Sequence, residues 1–560
     1  MLKAAPFVAI AVLVLPVMFG LGATLLPALG YFPALGGTKF SFEASRQLLA
    51  EPGLLRSCLI SLASSLSATL IALVAVAGFV AGWSQSRAFR AVQHLLSPLL
   101  SVPHAAVAFA LAFLLAPSGW LMRLVSPELT GMTRPPDWLV INDPMGISMM
   151  AGLIVKEMPF LFLVTLAALP HMRVRAHAAI ATSLGYGHMA GFLHGVWPGI
   201  YPQIRLAVFA VLAYSSSVVD VAIILGPTIP PPLAVRLVGW MNDPDLAMRF
   251  KASAGAVLQI GITVAAFAVW IAGERIVAGI FASLRRSGRR FANDCILRAV
   301  FAVVVTSAAM TVLAGLFLLG LWSFAGPWNF PDAWPQSLSL RIWERQFPSL
   351  WRPLSITLAV GLTSTLVAAA LALACLEREV RTGRTGGSRA LVVLYLPLLV
   401  PQVSFVFGMQ LFFLSSGLGA SFSALVLAHL VFVLPYVFLS LSDPWRAFDK
   451  RYASLAQTFG ATPAKVFFSI RLPMLLRPVL ASVAVGFAVS VGQYLPTVLI
   501  GAGRWPTLTT EAVALSSGGD RRAIGMYALV QLLLPAVAFF GATMIPAFVH
   551  RKWRDMRGSS

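Results

Sequence analysis

The chain has 560 residues, of which 58% are hydrophobic and 11% charged, with a mean hydropathy of +0.84. Water-soluble domains carry about 25% charge, so a soluble globular protein is excluded. Three cysteines, Cys58, Cys295 and Cys375, are too few for a disulfide scaffold, and a surplus of 41 Lys and Arg over 20 Asp and Glu has a use in membranes that does not involve nucleic acid.

A bilayer core needs about 20 mostly apolar residues per helix. Twelve such runs predict an all-α integral membrane protein: Ala5 to Leu29, Cys58 to Gly82, Leu95 to Ala116, Gly146 to Leu169, Ile204 to Leu225, Ala252 to Phe281, Val300 to Phe324, Leu354 to Leu376, Ala390 to Leu414, Phe422 to Leu441, Val479 to Ile500 and Ile524 to Val549. Residues 1 to 29 also have the make-up of a secretory leader, but the apolar run is long for one, and it is read as an anchor helix. With the amino terminus in the cytoplasm, inner segments, counted with Arg205, Glu274 and Arg275 towards the inner ends of their spans, hold 26 basic and 7 acidic residues and outer segments 14 and 11, which satisfies the positive-inside rule. The clearest inner blocks are Arg285, Arg286, Arg289 and Arg290, and the tail Arg551, Lys552, Arg554 and Arg557. Both termini are then cytoplasmic.

The chain repeats itself. An offset of 275 residues pairs Ala178 with Ala453, Ala181 with Ala456, Gly185 with Gly460, Pro198 with Pro473, Ser215 with Ser490, Gly226 with Gly501 and Pro231 with Pro506, without a gap. Small shifts pair Pro159-Phe160 with Pro435-Tyr436, and Pro103 with Pro401. Six spans per copy is an even number, so the copies run parallel in the membrane, a known transporter plan. The expected organisation is a first half over 1–284, a basic connector over 285–299 and a second half over 300–560, with no soluble domain left over.

A long inner segment lies between the fourth and fifth span of each copy, near 173–200 and 446–478. In each, small residues recur at i, i+3 and i+7: Ala178, Ala181 and Gly185, then Ala453, Ala456 and Gly460. On a helix these form one stripe that lets another backbone or a protein surface approach closely, with the glycine turning the chain out of the helix and Pro198 or Pro473 opening the next element. One such helix would equally suit packing on its own bundle; two equivalent copies favour a partner.

The second segment resembles the EAA loop of bacterial ABC importer permeases, which reads Glu-Ala-Ala, three residues, Gly, nine residues, Ile, one residue, Leu-Pro. Here stand Ser454-Leu455-Ala456, Gly460, Ile470 and Leu472-Pro473 with every spacing kept. The first segment keeps Ala179-Ile180-Ala181, Gly185 and Pro198 but has Gly195 and Trp197 where Ile and Leu are usual, and both lack the leading Glu. The likeness spans nearly the whole chain and is nearest to the fused permeases of ferric-iron and thiamine importers. The stretch DVAIILGPTIPPPLAVRLVGW from Asp220 looks especially like a thiamine-linked subgroup. The resemblance implies that each loop is a coupling helix seated in a cytoplasmic ABC ATPase, a homodimer, while a periplasmic binding protein delivers the solute. No Gly-Lys dipeptide occurs, so the chain has no phosphate-cradling P-loop, and ATP hydrolysis falls to another polypeptide.

Ionisable groups inside a bilayer need partners or a wet cavity. Lys156 and Glu157 fall in the fourth span and Asp220, after Ser215, Ser216 and Ser217, in the fifth. Tyr214, Ser217 and Asp220, with Gln493 and Tyr494 of the second copy, are the candidate translocation path for a cationic solute such as thiamine; a structural hydrogen bond between spans is the alternative. The proline run Pro227 to Pro232 suits an irregular outer re-entry. Trp120, Trp138, Trp240, Trp328 and Trp334 read as interfacial belt residues. Neither a catalytic constellation nor a metal-binding cluster is evident, and no cofactor is expected. An ion-coupled secondary transporter shares the twelve-span plan but leaves the paired loops unexplained, and a membrane scaffold without a pore is the rival of another class.

Overall fold

The computed structural model describes residues 2–172, 174–384 and 386–551, so Arg173 of the first loop and Lys552, Arg554 and Arg557 of the basic tail lie outside the described residues. Helix accounts for 77%, and among the described residues there is no strand. Among the described residues, nine helices are long and apolar enough to cross a membrane, and three bent pairs bring the number of spans to as many as twelve. Lipid cannot satisfy bare backbone groups, so apolar runs of this length close their hydrogen bonds within helices.

The breaks follow local chemistry. Val102 before Pro103 and Val400 before Pro401 are both extended, with ψ of 125° and 129°, because proline crowds the residue ahead of it out of the helical region. The predicted run Leu95 to Ala116 therefore becomes Arg87–Leu96, Ser97–Ser101 and His104–Leu115. Ala390 to Leu414 bends by 93° between Ala390–Leu399 and Gln402–Ser415. Two further expectations need correction. The run Ile204 to Leu225 is not one helix: Trp197–Ser216 stops, and Asp220–Leu225 starts a short separate helix, so Asp220 stands at a helix start beyond the span. Its counterpart, Val479 to Ile500, divides in the same way into Leu476–Val491 and Leu495–Gly501. Ser216 and Ser217 turn their hydroxyls onto backbone at this point, both donating to the Ala213 carbonyl, which helps to end the helix.

The offset of 275 read from the sequence reappears in the elements. His188 and Pro463 each open the first arm of a bent pair, with bends of 66° and 76°. Asp220 and Leu495 then start the first short helix of each copy, and Leu233 and Leu508 the second.

The opening spans are exchanged. Ala5–Ala28 packs chiefly on Gln402–Ser415, and Cys295–Phe324 packs on His104–Leu115 and Leu54–Trp83 as well as on Arg521–Val549. The first crossing brings Gly20 against the backbone of Phe405 and Gly408, with Phe19 stacked on Phe412 at 4.9 Å. At the second, a Cβ on Gly315 would stand 2.7 Å from that of Ala110. Gly408 lies seven residues after Pro401 and Ala110 seven after Pro103, so the two crossings occupy one register.

Two of the five tryptophans expected in an interfacial belt are instead buried. Trp240, 9% exposed, lies under Arg236 and Lys251, and Trp328, 5% exposed, under Arg123. A cation held over the ring face supplies the polar contact that water would otherwise give, so these rings join the packed interior. Arg123 also donates to the carbonyls of Ser118, Asn329 and Asp332, tying the loop after Phe324 to the first half of the sequence.

Candidate functional site

The loop segments fold as the sequence pattern demands. Val174–Ser183 and Lys450–Thr458 are helices, and each ends ahead of a glycine in the left-handed region, Gly185 at φ +76° and Gly460 at φ +77°. A side chain with a Cβ is strained there, which is why glycine terminates both. Pro198 lies in the first turn of Trp197–Ser216, and Pro473 in that of Leu472–Met474.

The small-residue stripe is not the freest face. Ala178, Ala181, Ala453 and Ala456 are all half-buried, and a Cβ on Gly191 would meet that of Ala181 at 2.6 Å, so this helix packs closely on its own successor His188–Gly195. The outward ridge beside the stripe is apolar. Ile180 and Leu184 are 59% and 53% exposed, and Leu455 and Phe459, at the same offset of 275, are 59% and 83% exposed. Residues four apart share one helical face, so each loop carries a two-residue apolar knob.

Behind the second loop the motif is bolted to the spans. Arg471, between Ile470 and Leu472, is 4% exposed and pairs with Glu377, which also accepts from Arg381 at 2.8 Å. Its guanidinium stacks over Phe448 at 5.3 Å and Trp445 at 5.9 Å. Leu472 packs on the cluster of Leu376, Leu441, Trp445 and Val479, and His550 meets the Pro473 carbonyl at 3.1 Å. Ile470 is half-buried. The loop is therefore joined to three spans through a buried ion pair and apolar contacts.

Around Tyr214, residues from both halves of the sequence converge. The Tyr214 hydroxyl lies 3.5 Å from the Asp220 carboxyl, and the Tyr214 ring lies 4.6 Å from that of His104. His104 in turn meets Glu157 at 3.4 Å. Tyr436 interacts electrostatically with Glu157 and Tyr214, and Tyr494 with Asp220. Lys156 points away from its neighbour Glu157, towards the carbonyls of Leu99 and Leu100 at 3.4 Å, as successive helical residues must. Of the five predicted path residues, Tyr214, Asp220 and Tyr494 come together. Ser217 turns back onto its own helix, and Gln493 contributes its carbonyl to Thr497 at 2.9 Å. A cavity of about 1030 Å³ lies elsewhere, lined by Ser84, Gln85, Arg90, Pro170, Met172 and Ala176 near the first loop helix.

An Escherichia coli protein described as an inner membrane ABC transporter permease, YnjC, is 34% identical over 90% of this chain and 90% of its own length. The chain belongs to the ABC transporter permeases. Residues 368–553 of the permease also match the family described as "Binding-protein-dependent transport system inner membrane component". The putrescine permease protein PotI of Escherichia coli is 26% identical over 44% of the permease and 91% of its own length. The molybdenum permease protein ModB of Haemophilus influenzae is 29% identical over 26% of the permease and 69% of its own length. These names give the thiamine and ferric-iron expectations no support.

Sequence reasoning missed several residues that the permease brings into play. Tyr436 was paired with Phe160 only as a mark of the repeat, and His104 passed unnoticed beside Pro103, although an ionisable residue at a span's start was a usable signal. The apolar knobs were legible in principle, since Ile180 and Leu455 stand among small and polar neighbours.

Proposed function

We propose that the chain forms the complete membrane pathway of an ABC importer. Residues 1–284 and 300–560 act as two parallel six-span halves joined by 285–299, with both termini in the cytoplasm. A separate ATPase homodimer seats on the two loop helices, around Ala178 to Gly185 and Ala453 to Gly460, and a periplasmic binding protein docks on the outer loops. The single observation that carries this reading is the pair of exposed apolar knobs, Ile180 with Leu184 and Leu455 with Phe459, at equivalent places in the repeat. A knob fully buried in a partner contributes about 1.5–3 kcal/mol per large apolar side chain. Alternating access follows from motion of the spans to which Arg471 and its neighbours are bound.

The solute best suited to the intramembrane cluster is a small organic cation. Two carboxyl groups, Glu157 and Asp220, interact electrostatically with Tyr214, Tyr436 and Tyr494, and aromatic side chains with carboxyls are the chemistry that recognises ammonium or thiazolium groups. A polyamine and thiamine both satisfy this, and the putrescine permease among the relatives favours the former. Molybdate, an anion, would meet two carboxyls.

The test is reconstitution in proteoliposomes with a candidate ABC ATPase and binding protein from the same cell, measuring ATP-driven uptake of labelled putrescine, thiamine, ferric iron and molybdate. Uptake of a cation that Asp220→Asn lowers at least about tenfold, at unchanged protein insertion, is expected; losing a charge-assisted contact costs about 1.5–3 kcal/mol. Uptake by the chain alone, driven by an ion gradient, would replace this reading with a secondary transporter.

A further inference from the structure

The two loop elements are held in different ways. After the second loop helix, Thr462 begins the next helix and caps it locally, its hydroxyl accepting from the Lys465 N–H at 3.3 Å. The equivalent place in the first copy, 275 residues earlier, is Gly187, which has no side chain to cap His188–Gly195. The cap comes from far along the chain. Asp294, in the link between Met248–Arg286 and Cys295–Phe324, accepts from the Met189 N–H at 2.7 Å. The Gly187 N–H donates to the Arg290 carbonyl at 3.2 Å, and a Cβ on Gly187 would overlap the Phe291 carbonyl oxygen. Asp294 also stands at the N-cap of Cys295–Phe324 yet makes no side-chain cap there, so its carboxylate is given to the other helix. Arg290 further lies 3.2 Å from the place a Cβ on Gly185 would occupy, whereas nothing approaches Gly460 within 4 Å.

We infer that Asp294 is a positioning residue for the first ATPase-docking helix: the connector 287–294 clamps the exit of Val174–Ser183 through Gly187 and Met189, while the second docking helix relies on its own Thr462. The inference rests on the function proposed above. It makes the two docking sites mechanically unequal, and it gives the connector a role beyond joining the halves. A carboxylate at a helix start both satisfies a free N–H and faces the positive end of the helix, and removing such a cap shifts the local equilibrium by about fivefold.

The experiment uses the full permease with its ATPase in membrane vesicles, with Cys58, Cys295 and Cys375 replaced by serine and a single cysteine introduced by Ile180→Cys or by Leu455→Cys. Crosslinking to the ATPase is read at each site. Asp294→Ala is expected to lower capture at 180 at least about fivefold while capture at 455 is unchanged; Asp294→Asn, which keeps an acceptor, restores most of it. Gly187→Ala, whose Cβ would overlap the Phe291 carbonyl oxygen and crowd the Asp294 carboxylate at 2.9 Å, should give the same selective loss. Unchanged capture at 180, or equal loss at both sites in both variants, overturns the role of Asp294 and leaves the transport reading standing. Failure of the single-cysteine permeases that keep Asp294 and Gly187 to capture ATPase at either site overturns the transport reading, and this inference with it.

Discussion

Gly20 and Gly408 meet backbone to backbone, so closely that a Cβ on Gly408 would overlap the Gly20 carbonyl oxygen. The contact fastens the first span to a helix nearly four hundred residues away in the sequence. Small residues at such crossings let helices approach where lipid gives no hydrophobic drive for association. Gly408→Val is expected to destabilise the detergent-purified permease by about 1–3 kcal/mol through overpacking. Gly22→Ala, on the same span but with nothing within 4 Å of its would-be Cβ, should leave the unfolding midpoint unchanged. Thermal unfolding followed by tryptophan fluorescence separates the two.

Breaking the Glu377–Arg471 pair from one side leaves a buried cation. Both side chains are nearly inaccessible, at 4% and 5% exposure, and an uncompensated charge of this kind costs about 3–5 kcal/mol. Glu377→Gln should therefore lower stability strongly, whereas the double variant Glu377→Gln with Arg471→Met should recover most of the loss. A double-mutant cycle on chemical denaturation measures it. Near-additive losses would show that the pair carries no coupling.

The knob of the second loop should dominate docking, since Phe459 is the larger and more exposed residue. Phe459→Ser is expected to weaken ATPase association by about 2 kcal/mol, close to thirtyfold, in line with a buried aromatic anchor. Leu184→Ser should cost less. Binding of purified ATPase to permease in nanodiscs gives both values, and an unaltered affinity for Phe459→Ser would count against the knob as the contact.

Glu51 links acidity to the loop between Ala5–Ala28 and Leu54–Trp83. It accepts from Lys251 at 3.0 Å and pairs with Arg236, which also donates to the Pro52 carbonyl at 3.0 Å. Burial pushes the Glu51 carboxyl up, but the hydrogen bond and charge of Lys251, with those of Arg236, outweigh it and hold the group below the ordinary range. A depressed carboxyl contributes stability that is present above its unfolded value and lost as pH falls through the folded one. The permease should lose part of its thermal stability on acidification below the ordinary Glu range, and Glu51→Gln should be less stable at neutral pH with a flatter acid dependence. Unfolding midpoints at a series of pH values give the comparison.

The amino-acid sequence by itself determined the membrane class, the spacing of the loop motif, its two glycine stops and the offset of the repeat, because hydropathy, helical period and the freedom of glycine act over a few residues. It misjudged the fifth and eleventh spans, where Ser217 to Val219 and Gly492 to Tyr494 interrupt runs that are apolar on both sides of the break. Only the tertiary structure decided which face of each loop helix is free, since Ala181 is covered by Gly191 and Ile180 is not. The same holds for the exchange of Ala5–Ala28 and Cys295–Phe324, for the meeting of Glu157, Asp220, Tyr436 and Tyr494, and for Asp294 capping a helix more than a hundred residues before it. Each of these depends on which surfaces bury one another, and burial is settled by the whole packed chain, so a local pattern carries no trace of it.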